Sequence, residues 1–371
     1  MIFQCQKEEL LNILNIVSKA VSPRAAMPIL EGIYIKAQAE CIKIVGNDNE
    51  LGIECTLPAQ VYEEGSIVLI AKTFIDIIRR LPNDTVTVKV SEDRNAIITC
   101  QNIEYKIIGL SDDEYPLIPE IEPENSFKIE SEKLKSMIRR TLFATSQNES
   151  RMVLTGSLFE VKDNYLTVVS VDGFRLALRN ESVKNGDEKE FSFIIPGKTL
   201  GELVKILEDD DSIVNVSLTQ RYVMLKTEDA KVVSRLIEGA FLNYNKTIPV
   251  DSAYSVVIPV NSVLESVERC EPIIAADDAK SPVRLIFTEK ELIVKCIAAT
   301  GQIVDIIPVP FNGEELEIGF NHKYLRDALK ACETDLIKLE FNSNLSPCLL
   351  KPIEGEGFLQ MVLPVRLKND N

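Results

Sequence analysis

The sequence is poor in the patterns that many enzymes and exported proteins need. It has one histidine, His322, which excludes a histidine-rich metal site, and it has no G-x-S-x-G segment, so hydrolase chemistry has little support. Nowhere do about eighteen apolar residues follow one another, and the first residues lack the pattern of a signal peptide. The eight cysteines include no C-x-x-C pair. We therefore expect no membrane span, and we expect the cysteines to be small buried hydrophobes in a reducing cytoplasm.

Motifs for nucleotide or metal chemistry are incomplete. The segment 196–199, Pro-Gly-Lys-Thr, resembles the end of a phosphate-binding loop, but Ser192 stands where that loop needs its first glycine. A faint calcium loop starting at Asp48 lacks both its sixth-place glycine and its closing glutamate. The acidic runs 112–114 and 209–211 could chelate Mg²⁺, although such runs are more typical of exposed turns. No set of acid, base and nucleophile can be assembled, so we expect no catalytic residue, metal or cofactor.

The overall charge argues, at first sight, against a nucleic-acid partner. The chain of 371 residues has a formal net charge of −16, and its hydrophobic content of 45% is that of a folded protein with two or three domains. Binding to phosphates normally requires clustered Lys and Arg. Any such cluster must therefore be local.

One segment occurs three times along the chain. Its three lysines, Lys72, Lys198 and Lys323, stand 126 and 125 residues apart, and each copy has apolar residues at helical spacing. A strand-like run precedes each copy, and an alternating strand follows it. The preceding runs are 66–70, 191–195 and 316–320, and the following strands are 86–90, 214–218 and 337–341. The order strand, helix, strand therefore recurs three times.

A second set of matches supports the same period. Gly32 corresponds to Gly156, and Asp48 corresponds to Asp172, each 124 residues later. The third copy has lost the glycine, because its matching run is 283–287, Val-Arg-Leu-Ile-Phe. These matches make an accidental repeat of the lysine segment less plausible.

A further helix opens each repeat. These helices are predicted at 7–19, at 131–145 with Ser131 as a plausible N-cap, and at 261–274. Each repeat is thus an α+β unit with two helices and many short strands. Acidic, Pro-containing stretches near 116–125 and 249–252 are natural joints. The sequence therefore predicts three domains, 1–125, 126–250 and 251–371.

Three tandem copies of such a unit, spanning the whole chain, resemble the bacterial β sliding clamp family, the beta subunits of DNA polymerase III. Three local motifs sharpen the resemblance: Ser-Pro-Arg at 22–24 leading to Met-Pro-Ile-Leu, Asp-Gly-Phe-Arg-Leu-Ala at 172–177, and Leu-Pro-Val-Arg-Leu at 363–367. The resemblance implies a non-catalytic processivity factor of DNA replication. Two chains would join head to tail into a ring of six similar domains, with helices inside and sheets outside.

Such a ring would encircle duplex DNA and tether the replicative polymerase in the cytoplasm. Twelve helices at a spacing of roughly 10 Å enclose a hole of roughly 35 Å, which is wide enough for a hydrated duplex. The six predicted helices together carry +6, which leaves −22 for the rest of the chain. A mildly positive lining and a negative exterior would allow DNA inside the ring while preventing adhesion outside it.

The candidate DNA contacts are basic residues on these helices, together with one arginine in a family motif. Arg24 and Lys198 match family positions associated with DNA, and the others depend on helix charge alone. Each could equally be an ordinary solvated charge. The full set is Arg24, Lys72, Arg79, Arg80, Arg139, Arg140, Lys198 and Lys323.

The resemblance also implies a cleft on the third domain, next to the second. Polymerase, clamp loader and repair proteins would insert short linear peptides with apolar anchors there. Phe174 stands where a histidine is common, Leu242 stands where a proline is common, and Thr247 and Leu363 also depart from familiar members. Taken singly, each Leu or Val could be plain core. The carried-over residues are Arg151, Leu154, Val171, Gly173, Phe174, Arg175, Leu176, Leu242, Thr247, Asn321, Tyr324, Leu345, Leu363, Pro364, Val365 and Arg366.

At the contact between two chains, the resemblance places Tyr105 and Ile107 of the first domain against Ile273 and Ile274 of the third. Pairing of edge strands and a small apolar cluster would close the ring. Ile273 and Ile274 could equally be buried helix residues.

Two other functions are compatible with parts of the sequence. An acidic cytosolic scaffold that binds peptides would keep the cleft but would not need positive helices. A metal-dependent enzyme that uses the acidic turns would lose its activity to a chelator. The clamp interpretation is favoured because the chain has no nucleotide site of its own, as expected when a separate ATPase loads the ring.

Overall fold

The structure is a computed structural model that describes residues 1–22, 27–120, 122–185, 190–276 and 281–367. The chain forms two compact units. The first unit comprises Met1–Glu132, Lys184–Asp187 and Lys205–Leu236, and the second comprises Lys133–Val183, Glu188–Val204 and Ile237–Asn371. The central predicted domain is therefore divided between the two units.

The described residues contain 26 strands and seven α-helices. The first thirteen strands are β1 Ile2–Gln6, β2 Gly32–Gln38, β3 Cys41–Asn47, β4 Leu51–Pro58, β5 Gln60–Glu63, β6 Gly65–Ile70, β7 Thr85–Val90, β8 Asn95–Cys100, β9 Ile103–Ile108, β10 Asn125–Glu130, β11 Gly156–Lys162, β12 Tyr165–Val171 and β13 Arg175–Ser182. The others are β14 Lys184–Asn185, β15 Phe191–Pro196, β16 Ile213–Leu218, β17 Tyr222–Lys226, β18 Ala230–Arg235, β19 Tyr254–Pro259, β20 Val283–Phe287, β21 Glu291–Ala298, β22 Gly301–Pro308, β23 Leu316–Phe320, β24 Leu336–Phe341, β25 Cys348–Pro352 and β26 Phe358–Val362. The helices are α1 Lys7–Val17, α2 Ala71–Arg80, α3 Ser131–Arg139, α4 Gly197–Ile206, α5 Val260–Arg269, α6 Glu271–Ala275 and α7 His322–Lys330.

The first unit has two sheets. Five strands pair in the order β5-β1-β7-β8-β9, and nine pair in the order β14-β10-β16-β17-β18-β4-β3-β2-β6. The nine-stranded sheet crosses the predicted joint near residue 125, because β18 pairs with β4 through Ala230 opposite Cys55 and Ser234 opposite Leu51. Helices α1 and α2 pack against each other in this unit.

The second unit repeats this arrangement. Eight strands pair in the order β15-β11-β12-β13-β26-β25-β24-β19, and four pair in the order β22-β21-β20-β23. Here β13 pairs with β26, from Arg175 opposite Val362 to Arg179 opposite Phe358. Helices α5 and α7 pack against each other. The sheet therefore continues from the central repeat into the third repeat.

The sequence pattern explains why these segments form strands and helices. Strand β8 alternates half-buried and fully buried residues along its length, as expected of a sheet with one face on a core. In α2, Phe74, Ile75 and Ile78 are buried, whereas Arg79 and Arg80 are exposed. The apolar stripe recurs every three or four residues, which is the spacing of one helix face.

The strand register supports the threefold repeat. Gly32 lies opposite Ile70, Gly156 opposite Pro196, and Val283 opposite Phe320. A Cβ on Gly156 would meet the carbonyl oxygen of Ile195 at 2.4 Å, so the glycine is required by close backbone approach. The third repeat accommodates a valine at the corresponding position.

The structure corrects three details of the helices. The helix predicted at 131–145 ends at Arg139, and a separate 3-10 turn follows at Leu142–Ala144. Helix α3 begins at Ser131 itself, and the Ser131 hydroxyl donates to the carbonyl oxygen of Glu208 at 2.9 Å, so Ser131 is not an N-cap. The predicted helix 261–274 is two helices, because α5 ends at Arg269 and α6 begins at Glu271 with Pro272 in its first turn. Proline cannot donate the backbone hydrogen bond that would continue α5.

The cysteines are free thiols in the structure. All except Cys41, which is half-buried, are buried. Burial raises the pKa of the Cys5 and Cys332 thiols to about 12, since a thiolate would have to be desolvated. They therefore pack as small neutral hydrophobes.

In the second unit, ion pairs among a cluster of charged side chains connect the central repeat to the third repeat. Glu333, just after α7, pairs with Nη1 of Arg179 at 2.8 Å and with Nε of Arg140 at 2.6 Å. The Ser136 hydroxyl also donates to Glu333 at 2.7 Å. Burial alone would raise the pKa of Glu333, but the Ser136 hydrogen bond and the two arginines outweigh it and hold the pKa below its usual value.

We predict that Glu333→Gln lowers the melting temperature at pH 7 by about 2 to 4 °C, a shift typical of a loss near 1 kcal/mol. Because the pKa of Glu333 is lower in the folded chain, its stabilising effect is present above its unfolded pKa and disappears as the pH falls through the folded pKa. The difference in melting temperature between the wild type and Glu333→Gln should therefore become smaller at acidic pH. Thermal scans from pH 7 to pH 3 measure it, with the exposed Glu354→Gln as control. A difference that does not change with pH would contradict this assignment.

Candidate functional site

Three of the predicted cleft residues belong to a buried apolar cluster of the second unit, called the floor below. Leu154, Val171 and Leu176 are 6%, 5% and 1% exposed and belong to one buried cluster. Tyr244 and Met361 belong to the same cluster. The floor is therefore assembled from the 3-10 turn before β11, strands β12 and β13, the segment that follows β18, and strand β26.

A tight turn after β12 presents the residues above this floor. The Asp172 carboxylate accepts hydrogen bonds from the backbone N–H groups of Phe174 at 2.9 Å and Arg175 at 3.1 Å. Gly173 has a φ of +95°, and a Cβ there would meet no atom within 4 Å, so the turn requires glycine for its backbone conformation rather than for space. In the first repeat, Asp48 likewise accepts from the N–H groups of Glu50 and Leu51. The match between Asp48 and Asp172 thus has a structural basis.

Four side chains stack into a ladder at the edge of the floor. The Arg175 guanidinium lies 5.1 Å from the ring centroid of Phe143 and 4.5 Å from that of Tyr324. The ring of Phe174 then stacks on Tyr324 at 6.0 Å. Phe174 is 57% exposed, so the ladder runs from a buried cation to a solvent-facing ring. Such stacking favours a planar guanidinium over an ammonium.

Arg175 is 7% exposed and is paired on every side. Its Nε donates to Asp172 at 2.9 Å, its Nη1 donates to Asp327 at 2.8 Å, and its Nη2 donates to the carbonyl oxygen of Phe143. Asp327 also pairs with Nη2 of Arg326 at 3.1 Å. The buried charge is therefore balanced, as a desolvated cation requires.

An open pocket of about 760 Å³ borders the ladder. The predicted cleft residues Arg151, Gly173, Phe174, Arg175 and Tyr324 line it. Lys323, predicted from helix charge, lines it as well. The other lining residues are Phe143, Thr145, Ser146, Gln147, Asn148, Ser150, Asp172 and Asp327.

The C-terminal motif lies against the same turn. The Leu363 N–H donates to the carbonyl oxygen of Phe174 at 2.9 Å, and the Val365 N–H donates to that of Gly319 at 2.8 Å. Leu363, Pro364 and Val365 are half-buried, and Arg366 is exposed.

The remaining predicted cleft residues lie on the surface. Leu242, Thr247 and Leu345 are exposed, and Leu345 lies in the turn between β24 and β25. Asn321 is the N-cap of α7, since its side chain accepts from the backbone N–H of Lys323 at 3.0 Å. It thereby orients the first turn of the helix that carries Tyr324.

Sequence reasoning missed the residue that holds the segment after β18. Between residues 236 and 255, Tyr244 is the only fully buried residue. Its hydroxyl donates to Glu160 on β11 at 2.5 Å. Burial and this hydrogen bond raise the pKa of Tyr244 above its ordinary value, so the hydroxyl remains a donor. Tyr244 therefore pins the segment that carries Leu242 and Thr247, and Phe241 and Ile248 pack against the same cluster.

Most of the predicted DNA contacts are exposed cations on helices. Their side chains face solvent on α2, α3, α4 and α7, and Arg79 pairs with Asp76 at 3.0 Å. The exposed residues are Lys72, Arg79, Arg80, Arg139, Lys198 and Lys323. Arg24 lies outside the described residues.

Arg140 has a different role from the one predicted. Its Nη1 donates to the carbonyl oxygens of Lys330, Ala331 and Cys332 at 3.1 to 3.4 Å, and its Nε pairs with Glu333. Unpaired carbonyls at a helix C-terminus attract a cation. Arg140 therefore caps α7 and is not available to a phosphate.

The predicted residues of the dimer contact lie at or near edge strands. Strand β9 is an edge of the five-stranded sheet. On this strand the side chain of Tyr105 is 36% exposed and that of Ile107 is half-buried. In the second unit, β22 is an edge of the four-stranded sheet. Ile273 and Ile274 are half-buried against the core of the third repeat, a position compatible both with a dimer contact and with ordinary helix packing. A Cβ on Gly301, at the start of β22, would lie 3.6 Å from Ile273.

The edge strands also expose apolar residues that the sequence did not single out. Ile108 on β9 is 78% exposed, and Val304 and Ile306 on β22 are 52% and 53% exposed. Exposed apolar side chains beside unpaired backbone groups are suited to strand addition.

The described residues offer neither a metal site nor a membrane span. Among them, no group of three or more His, Cys, Asp or Glu side chains is arranged to hold a metal ion. None of their helices has the length and apolar character needed to cross a membrane.

Three family models match consecutive parts of the chain. They are the N-terminal, central and C-terminal domains of the DNA polymerase III beta subunit, matched at residues 1–119, 128–243 and 245–366. Together they span nearly the whole sequence.

Relatives and solved structures agree with these matches. The beta sliding clamp of Bacillus subtilis is 33% identical over 98% of this chain and 99% of its own length. That of Halalkalibacterium halodurans is 35% identical over 95% and 96%. The crystal structure of the Bacillus subtilis DNA polymerase sliding clamp has a TM-score of 0.95 at 33% identity, covering 99% of this chain and 100% of that one. A DNA polymerase III beta subunit structure from Eubacterium rectale has a TM-score of 0.94 at 34% identity, with the same coverage. The chain therefore belongs to the DNA polymerase III beta subunit family, the beta sliding clamps.

Proposed function

We propose that two copies of this chain close head to tail into a ring that encircles duplex DNA and tethers a replicative polymerase for processive synthesis. The observation that carries the proposal is the run of three family domains along one chain. The protein acts as a non-catalytic processivity factor in the cytoplasm. Its domains are 1–125, 126–250 and 251–371, and a separate loader opens the ring.

The cleft of the second unit receives short peptides from the polymerase, the clamp loader and repair proteins. Leu154, Val171 and Leu176 support the cleft from the buried cluster, and the exposed ring of Phe174 offers an apolar anchor a surface at one rim. The pinned segment carrying Leu242 and the C-terminal residues 363–366 form the other parts of the cleft. The cations on α2, α4 and α7 face the phosphates of the enclosed DNA.

The first prediction concerns topological binding. After loading onto circular duplex DNA by an active clamp loader with ATP, the protein should stay bound in high salt, because a closed ring does not depend on charge. Linearising the circle should release it. Gel filtration in high salt, before and after cutting, measures retention. Equal release from circles and linear DNA would favour the peptide-binding scaffold instead.

The second prediction concerns ring closure. Tyr105→Lys on β9 should weaken the dimer at least tenfold, because a charge at a paired edge strand loses water without gaining a partner. Analytical ultracentrifugation across a dilution series measures the dimer affinity.

Tyr62→Lys is the matched control for this variant. Tyr62 is 57% exposed on β5, the opposite edge of the same five-stranded sheet. Equal effects of the two substitutions would remove β9 from the interface.

The third prediction concerns the pinned segment. Tyr244→Phe should weaken binding of a fluorescent peptide copied from the polymerase C-terminus by about tenfold, because the segment then spends less time in its binding-competent position. Glu160→Leu should have the same effect, whereas Glu160→Gln, which keeps an acceptor, should bind nearly as wild type does. Fluorescence anisotropy measures the affinities.

Tyr165→Phe, which alters a 57% exposed tyrosine on β12, is the control. An unchanged affinity in Tyr244→Phe would show that the hydrogen bond does not position the cleft.

A further inference from the structure

We propose that His322 is a pH-sensitive switch of ring closure. When its imidazole takes up a proton in mild acid, the short helix α6 shifts and the contact between two chains weakens. The proposal rests on the proposed head-to-tail ring and on the place of Ile273 and Ile274 in its contact. His322 is the only histidine of the chain, so one side chain would be responsible.

His322 lies where three helices of the third repeat meet. It is the first residue of α7, which packs against α5, and α6 begins one residue after α5 ends. The ring is half-buried, and its Nε2 is fully buried with no hydrogen-bond partner among the residues that the structure describes. The ring also hydrogen-bonds to the backbone of Val267 on α5, in a way that favours the charged form, so Nδ1 is the donor. A further proton would therefore be placed on Nε2, where it has no acceptor and is costly to bury.

The charged groups around the ring have both signs. Among the described residues they are Glu268 on α5, Glu271 on α6, and Arg326 and Asp327 on α7. Burial, and next the Arg326 guanidinium, lower the pKa of His322 below its ordinary value, and together they outweigh Glu271, the bond to Val267 and Asp327. A hydrogen bond to Lys330 holds the pKa of Glu268 below its ordinary value, so Glu268 does not titrate in the range of a histidine.

Helix α6 connects His322 to the proposed contact surface. Arg326 pairs with Glu271, the first residue of α6, at 3.6 Å. Ile273 follows on the same helix, and a Cβ on Gly301, at the start of the edge strand β22, would lie 3.6 Å from it. A helix of five residues has little stability of its own. It is therefore the element beside His322 that moves at the least cost.

Mild acid should therefore weaken the closed ring. At a pH above the ordinary histidine pKa of about 6.5, the imidazole is neutral and α6 stays docked without penalty. Because the pKa of His322 is lowered where α6 is docked, the docked state binds fewer protons than a state with α6 displaced. It therefore loses stability as the pH falls below that value, until the imidazole is protonated in both states.

The affinity of the dimer as a function of pH tests the proposal. Full-length wild type and His322→Gln, which keeps a hydrogen-bonding side chain but cannot become charged, are compared by analytical ultracentrifugation from pH 7.5 to pH 5.5 at one ionic strength. We expect equal affinities at pH 7.5. At pH 5.5 the wild type should have lost about tenfold more affinity than the variant. A pKa lowered by about half a unit at each of the two contacts of a head-to-tail dimer gives this factor.

A second measurement follows the imidazole directly. NMR titration of protein labelled at histidine reports a single side chain, because the chain has no other histidine. The pKa of His322 should be lower in the wild-type dimer than in Tyr105→Lys, at a concentration where ultracentrifugation shows that variant to be monomeric. Tyr105 belongs to the first unit and His322 to the second, so the substitution leaves the surroundings of the histidine within the chain intact.

Two outcomes would overturn the proposal. One is the same pH dependence of dimer affinity in the wild type and in His322→Gln. The other is the same pKa of His322 in the dimer and in the Tyr105→Lys monomer. If His322→Gln does not dimerise at pH 7.5, the histidine titration decides alone. A wild type that is monomeric at every pH would instead reject the proposed ring itself.

Discussion

The guanidinium of Arg175 is the interaction on which the candidate site depends. A cation that is 7% exposed is stable only if its desolvation is compensated, and here two carboxylates, a carbonyl and two aromatic faces do so. These partners come from the segment after α3, the turn before β13, and α7. A lysine could not replace it, because one ammonium lacks the planar fork that reaches all of them. Arg175 therefore sets the distance between the turn and α7, and with it the position of Phe174 and Tyr324.

Sheet continuity gives this arrangement its rigidity. Because β13 pairs with β26, the turn at Asp172 and the segment after Val362 leave the same sheet side by side. The hydrogen bond from Leu363 to Phe174 extends that pairing beyond the strands. Glu333 fixes the other end of α7, where Arg140 and Arg179 meet it. The turn and α7 are thus built on regular structure, whereas residues 143–151 and the segment around Tyr244 are irregular walls.

Periodicity in the sequence was sufficient to predict the repeated strands and helices. Lys72, Lys198 and Lys323 mark corresponding helices, and the pairing of Gly32, Gly156 and Val283 follows the predicted correspondence. Local rules failed where distant residues decide the outcome. The local sequence at Ser131 is typical of an N-cap. In the structure its hydroxyl donates to the carbonyl oxygen of Glu208, 77 residues away. The sequence around Arg140 is typical of a solvated helix charge. In the structure its guanidinium donates to the C-terminus of α7, 190 residues further along the chain. Pro272 did carry a local signal for the break between α5 and α6.

The dependence on distant residues also explains which parts of the site could be predicted from the sequence. Residues 172–177 formed a recognisable motif, so Gly173, Phe174 and Arg175 were found. Tyr244 and Glu160 had no motif, and only burial of the tyrosine against Leu154 and Val171 reveals their pairing. A net charge of −16 was equally uninformative about the pocket. At physiological ionic strength, charges more than about 8 Å apart are largely screened, so the charge at the pocket depends on the side chains that line it, Arg151, Arg175, Lys323, Asp172 and Asp327, more than on the acidic exterior. The charge of one site therefore follows from its own side chains and not from the sum over the chain.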